Sequence, residues 1–64
     1  MKSELEKHRK LLTTAQVARR LATSERTVCY LAELGELNGF KVGRQWRFYE
    51  DEIDDYLKRK QGNK

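Results

Sequence analysis

Three stretches of the chain place apolar residues three or four positions apart, which is the spacing of one face of an α-helix. In chain order these positions are Val17, Ala18 and Leu21, then Val28 and Leu31, then Ile53, Tyr56 and Leu57. Between the second and third sets, the stretch 39–48 alternates apolar and polar residues as β-strands do. The pattern therefore predicts two short helices, a β-hairpin and a third helix over 50–60.

Polar residues mark the ends of the first two helices. Thr13 and Gln16 have the spacing of a capping box, so the first helix is expected to begin there. Ser24 is a favourable N-cap for the second helix, and Gly35 is the residue type that commonly ends one. The break at 22–23 leaves a tight turn of about three residues between them, which is the outline of a helix-turn-helix.

The hairpin is predicted to turn its apolar side chains toward the helices and its cations toward solvent. The residues 36–38 are taken as a connector and 43–45 as the turn. On this interpretation, four apolar residues face the core: Phe40, Val42, Trp46 and Phe48. Lys41 and Arg47 alternate with them and are expected on the opposite, exposed face.

Length and charge limit the functions open to the chain. Its 64 residues support one small core and leave no room for a pocketed enzyme. We expect a flexible basic arm over 1–10, one domain over 11–60 and a frayed tail over 61–64. The formal net charge of +4 favours an anionic partner such as nucleic acid. Three cations and no acid fall within the hairpin: Lys41, Arg44 and Arg47.

Residues that would support catalysis or metal binding are scarce. The single cysteine, Cys29, cannot form an internal disulfide, and His8 is the only histidine. No nucleophile with a base partner and no phosphate-binding glycine loop is visible, so we expect no enzyme, no cofactor and no metal. The chain has neither a signal peptide nor an apolar span, which predicts a cytoplasmic protein without membrane contact.

The order and spacing of these motifs resemble a known family. The stretches LLTTAQVARRLATSERTV, GELNGFKVGRQWRF and EIDDYL, within residues 11–57, resemble the small excisionase-type DNA-binding proteins, relatives of the MerR-like winged helix-turn-helix. The resemblance implies a mainly α fold in which a helix-turn-helix is followed by a two-stranded wing and a C-terminal helix. It implies that the second helix, 25–34, enters the major groove of double-stranded DNA. The hairpin, 39–48, then lies on the backbone or in the minor groove.

Eight residues are candidates for DNA contact on this interpretation. Ser24 and the amides after it would anchor phosphate, since a helix N-terminus presents free amides and positive potential. Arg26 and Tyr30, four residues apart and opposite the apolar face, are candidates for base edges, with Thr27 beside them. On the wing the candidates are Lys41, Arg44 and Arg47, with Gln45 at the tip.

The chain departs from the family pattern in the second helix. Tyr30 and Glu33 stand where relatives often carry basic residues, and the helix is net negative. Attraction to DNA is therefore expected from the wing and the two lysine-rich ends, with Arg19 and Arg20 as candidates for a further contribution. Trp46 is expected to fix the wing to the helices, and the alternative is that its indole inserts between bases.

The leading hypothesis is sequence-preferring binding of double-stranded DNA, as an excisionase-like architectural factor or a small transcriptional regulator at the nucleoid. Neighbouring copies bound side by side on DNA, a recombinase and the transcription machinery are candidate protein partners. The alternative is a protein-interaction adaptor that keeps the winged fold without strong DNA affinity. That alternative is motivated by the acidic second helix and by Leu34, which stands where polar residues are common in the family.

Overall fold

The computed structural model describes residues 10–61, and within them it contains three helices and a three-stranded antiparallel sheet. The elements in chain order are β1 (Leu11–Thr13), α1 (Thr14–Leu21), α2 (Glu25–Leu34), β2 (Phe40–Val42), β3 (Gln45–Tyr49) and α3 (Glu50–Gln61). This order confirms the winged helix-turn-helix, with β2 and β3 as the wing. Except for Lys10 and Gln61, the proposed arm and tail lie outside the described residues.

Side-chain caps fix the helix boundaries where the sequence predicted them. The amide of Gln16 donates to Thr13 Oγ1 at 3.1 Å, and the amide of Thr13 donates to Gln16 Oε1 at 2.9 Å. This reciprocal pair is the predicted capping box. Ser24 Oγ accepts the amide of Thr27 at 3.1 Å at the start of α2, and Gly35 ends that helix in the left-handed region. The two short helices and the turn between them are therefore encoded locally.

The strand β1 was not predicted. Leu12 lies opposite Phe48 in the pairing of β1 with β3, and both side chains are buried. The amide of Glu50 donates to the carbonyl of Lys10 at 2.8 Å, which continues the pairing by one bond. The sheet order is β1-β3-β2, so β3 is the central strand. Three residues are too few for an alternating pattern, and only the pairing with β3 makes this segment a strand.

One apolar core joins all the elements except β2. Its buried members are Leu12, Val17, Ala18, Val28, Ala32, Leu37, Phe48 and Ile53. Leu37 is 2% exposed, although the sequence interpretation placed it in a connector. The carbonyl of Leu31 accepts the amides of Glu36 and Leu37, which turns the chain back onto the core directly after α2. Trp46 and Tyr56 pack against the core from its edge, half-buried.

The prediction that the apolar side chains of β2 face the core is wrong. Phe40 and Val42 point away from the core and are 38% and 54% exposed. The cross-strand pairs are Phe40 with Arg47, Lys41 with Trp46, and Val42 with Gln45. A three-residue turn at 43–45 would have paired Val42 with Trp46. The actual turn is Gly43 and Arg44, and a shift of one residue in register moves every side chain of a strand to the other face.

Glycine is required at two positions of the hairpin for different reasons. Gly43 opens the turn with φ 68°, a left-handed conformation that favours glycine. Gly39 precedes β2 and lies against the buried ring of Phe48, where an added β-carbon would be 2.5 Å from Phe48 Cε2. The close approach of the Gly39 backbone to this ring brings the start of the wing onto the core.

Candidate nucleic-acid interface

The helix α2 forms an exposed ridge on the molecule. Val28 and Ala32 face the core, and Arg26 and Tyr30 lie on the opposite side, 40° apart around the axis because each residue advances about 100°. Tyr30 is 60% exposed, and Arg26 is exposed as well. The structure therefore brings the two candidate base-reading residues together on one accessible face.

A cleft separates one side of this ridge from the wing, and we call it the wing cleft. It has a volume of about 310 Å³. Glu25 and Cys29 line it from α2, and Arg44, Gln45, Trp46 and Arg47 line it from the wing. Its cationic wall is therefore adjacent to the ridge that carries Arg26 and Tyr30.

The start of α1 also reaches the wing cleft, and the sequence interpretation assigned it no functional role. Thr13, Thr14 and Ala15 line the cleft beside the wing arginines. The first amides of a helix lack intrahelical acceptors, so this end of the cleft presents donors as well as cations. The capping box located the helix start correctly, but only the tertiary structure places that start beside Arg44 and Arg47.

Two of the wing candidates hold each other in place. Arg47 is half-buried and donates from Nη1 to the carbonyl of Trp46 and from Nη2 to Gln45 Oε1, both at 2.9 Å. Gln45, expected at the wing tip, is instead the first residue of β3 and orients Arg47. Arg44 lies in the turn itself and is exposed. The guanidinium of Arg47 is therefore oriented before any ligand arrives.

Lys41 lies on the other face of the wing from Arg47, which corrects the prediction that both cations share one exposed face. It is paired with Trp46 across the hairpin, and its Nζ lies 5.5 Å from the centre of a Trp46 ring. The side chain of Lys41 is exposed. The ring of Trp46 also stacks on Phe48, with centroids 6.2 Å apart. Packing against the core confirms that Trp46 fixes the wing to the rest of the domain.

Arg20 is engaged within the protein. Its Nη2 lies 2.6 Å from Glu50 Oε2, and its Nη1 lies 3.8 Å from Asp54 Oδ1. These contacts join the end of α1 to the first turns of α3. Asn38 also contacts this helix, donating to Glu52 Oε1 at 3.0 Å. The acidic start of α3 therefore has a structural role, because it contacts α1 through Arg20 and the segment after α2 through Asn38.

The described residues give little support for metal binding, cysteine chemistry or a membrane span. Within 10–61, no group of three or more His, Cys, Asp or Glu side chains could hold a metal ion. His8 lies outside the described residues. Cys29 is a free, half-buried thiol that lines the wing cleft. In the same part of the chain, no helix is long and apolar enough to cross a bilayer.

Two short helices across a tight turn, followed by a β-ribbon that lies across the wing cleft from the second helix, define a winged helix-turn-helix domain. A family model described as a helix-turn-helix domain matches residues 11–61, and the chain belongs to this family. No curated protein and no solved structure matches the chain. Helix-turn-helix domains as a class bind DNA through their second helix.

Proposed function

We propose that this chain binds double-stranded DNA, with α2 in the major groove and the wing on the backbone or in the adjacent minor groove. One observation carries the proposal. The exposed ridge that bears Arg26 and Tyr30 borders a cleft whose opposite wall carries Arg44 and Arg47. A helix that reads bases needs phosphate contacts beside it to fix its register, and this arrangement supplies both.

Phosphate anchoring at the start of α2 would come from the backbone. Ser24 Oγ accepts the amide of Thr27 and lies 3.0 Å from Thr27 Oγ1, so both hydroxyls take part in the cap. The amides of Glu25 and Arg26 belong to the first turn, where intrahelical acceptors are lacking. These two amides would meet a phosphate oxygen, and the Ser24–Thr27 pair would hold the turn in shape.

Base recognition would fall to Arg26 and Tyr30. The fork of an arginine guanidinium matches the O6 and N7 acceptors of guanine in the major groove. Tyr30 has an aromatic face for thymine methyl contacts and a hydroxyl for a polar edge. Arg44, Arg47 and Lys41 would neutralise phosphates along the wing, Arg47 in the orientation that Gln45 sets.

For the biological role, we propose an excisionase-like architectural factor or a small transcriptional regulator at the nucleoid. The helix-turn-helix family supports the DNA-binding part, and the resemblance of LLTTAQVARRL and KVGRQWRF to excisionase-type and MerR-like proteins supports the finer role. Copies bound side by side on DNA, and contact with a recombinase or the transcription machinery, belong to the same proposal.

A protein-interaction adaptor is the second candidate, favoured by one specific observation. Leu34 is 57% exposed at the end of α2, a helix that carries Glu25 and Glu33 against the single cation Arg26. An exposed leucine beside a net negative helix suits a protein partner better than a polyanion.

Salt dependence separates the two functions. The purified chain is titrated into a fluorescently labelled mixed-sequence duplex of about 20 base pairs at several salt concentrations. If about five cations contact phosphate, log K should fall against log salt with a slope of about −4.5. The affinity should then drop several hundredfold between roughly 50 and 200 mM salt. Absence of duplex binding at low salt would contradict the proposal and favour the adaptor.

The wing is tested with Arg44→Ala in the same assay. Loss of one phosphate contact should flatten the slope by about one unit and weaken all duplexes alike. Arg47→Ala should do the same, and Gln45→Ala should weaken binding less because it frees the guanidinium without removing it. A wild-type slope in the Arg44 and Arg47 variants would remove the wing from the interface.

A further inference from the structure

A second cleft lies on the other side of α2 from the wing. It has a volume of about 240 Å³, and we call it the α3 cleft. Its walls come from the turn before α2, from α2 itself and from the last turns of α3. The residues that matter are Thr23, Thr27, Leu31, Tyr56, Leu57 and Lys60. The helix α2 is therefore a ridge between two clefts, one walled by the wing and one walled by α3.

Lys60 occupies a position on α3 that the helical pattern would give to an apolar residue. Lys60 lies seven residues after Ile53, and so on the same face of the helix as Ile53, Tyr56 and Leu57. Its Nζ lies 5.5 Å from the centre of the Tyr56 ring, so its stem extends along the wall of the cleft. Lys58, in the same turn, is rotated about 160° away from Lys60 and does not line the cleft.

Among residues 10–61, the charge of Lys60 is not neutralised by an ion pair. Within residues 10–61, the ion pairs of α3 are made by its first turns, where Glu50 and Asp54 pair with Arg20. Across the described part of the chain, neither Lys60 nor Arg59 makes an ion pair. The wall of the α3 cleft therefore carries a cation that no acidic side chain within residues 10–61 pairs with, and Thr27 of α2 lines the same cleft.

The shape of B-DNA relates this cation to the wing. A helix with its side chains is about as wide as the major groove, near 12 Å, so a bound helix has one phosphate backbone on each side. Arg44 and Arg47 stand on one side of α2, and Lys60 stands on the other. We propose that Lys60 contacts the backbone opposite the wing, so that α2 lies in the groove between two cationic walls.

This inference rests on the proposed DNA binding and extends it to a defined position on α3, a helix whose first turns pair with Arg20 and whose apolar face closes the core. It assigns one defined backbone contact to Lys60, which the sequence marked only as part of a lysine-rich end. A purely structural Lys60 would use its stem to cover Tyr56 and would leave the charge in solvent. If the α3 cleft instead receives a side chain of a protein partner, removing the charge of Lys60 should not change the salt slope of the DNA titration.

The experiment compares Lys60→Met with Lys58→Met in the duplex titration. Methionine keeps an apolar stem over Tyr56 and removes the charge, and both variants change the net charge equally. We expect Lys60→Met to flatten the salt slope by about 0.9. The loss of DNA affinity between 50 and 200 mM salt should then be roughly 3.5-fold smaller than for the wild-type chain. Lys58→Met should keep the wild-type slope, and Lys60→Arg should restore it. Thermal denaturation checks that all variants remain folded.

Hydroxyl-radical footprinting on a duplex selected by the wild-type chain gives the geometry. Lys60→Met and Arg44→Ala should each lose protection at different deoxyriboses, on the two backbones that flank the same stretch of major groove. Equal slope loss in Lys58→Met and Lys60→Met would reduce the effect to net charge and overturn the inference. So would a wild-type slope in Lys60→Met beside a flattened one in Arg44→Ala, a result that leaves the proposed function intact. A chain that binds no duplex would overturn both.

Discussion

Phe48 and Trp46 lie two residues apart on the core-facing side of β3, but they are buried to different degrees. Phe48 is fully buried and Trp46 is half-buried at the edge of the core. Phe48→Ala should therefore cost about 3 to 5 kcal/mol, which is close to the whole stability of a small domain. Trp46→Ala should cost less, about 2 kcal/mol, and leave the chain folded. Circular dichroism melting curves measure both changes.

The Trp46 variant also tests the alternative that the indole inserts between bases. A structural role predicts a lower melting temperature, with DNA affinity recovered at temperatures where the variant is fully folded. An unchanged melting temperature together with lost affinity would instead support insertion into the duplex.

Ala22 is the one described residue other than glycine with a positive φ. It ends α1 at φ 57° and ψ 47°, the left-handed region that costs an L-residue about 1 to 2 kcal/mol. Ala22→Gly should relieve this strain and raise stability by about 0.5 to 1 kcal/mol, after the greater entropy of glycine in the unfolded chain is subtracted. Ala15→Gly, in the exposed first turn of α1, is the opposite control and should lower stability. Urea denaturation measures the stability of both variants. A less stable Ala22→Gly would contradict the left-handed backbone conformation of Ala22.

Arg26 is the residue on which sequence preference should depend. On a duplex recovered by selection from a random library, Arg26→Ala should weaken binding by about 1 to 3 kcal/mol. On a scrambled duplex the loss should be small, because phosphate contacts remain. Arg44→Ala is the control that weakens both duplexes alike. If the Arg26 variant also weakens both alike, the arginine contacts phosphate and another residue reads the bases.

At the scale of elements, the ion pair of Arg20 links α1 to α3 across the domain. Both partners are about one third exposed, so solvent screens the pair, and Arg20→Ala should cost at most about 1 kcal/mol. The same variant should keep the wild-type salt slope in the duplex titration, because Arg20 is held by Glu50. Arg19→Ala is the comparison within α1. A slope flattened by one unit in Arg20→Ala would show that this arginine leaves Glu50 to meet DNA.

The elements themselves were predictable to the extent that their signals are local. The caps at Thr13 and Ser24 and the stop at Gly35 involve residues three or four positions apart, and all three are confirmed. The strand β1 and the faces of β2 were not predicted correctly, because both depend on pairing with β3. The turn has two residues where three were predicted, and this difference moves the side chains of β2 to the opposite face of the sheet. The alternation of apolar and polar residues in β2 is compatible with either face.

At the scale of the whole molecule, one core contains residues from β1, both helices of the helix-turn-helix, the segment after α2, β3 and α3. A single core of this size should unfold in one cooperative step. The fluorescence of Trp46 reports on the wing, and far-ultraviolet circular dichroism reports mainly on the helices. Their thermal transitions should coincide, and Leu12→Ala, with a cost of about 2 to 5 kcal/mol, should lower both together. A wing that melts first would show that β2 and β3 form a separate unit.

The sequence by itself determined the order of the three helices and the hairpin, the caps of α1 and α2, the core faces of the helices and the exposed pair Arg26 and Tyr30. These features follow from helical periodicity and short-range capping. Only the tertiary structure decided the faces of the wing, the burial of Leu37, the pairing of Arg20 with Glu50 and the two clefts that flank α2. The physical reason is separation along the chain. Contacts between residues distant in sequence depend on strand register and helix packing, and a one-residue shift in register changes them while leaving the local pattern the same.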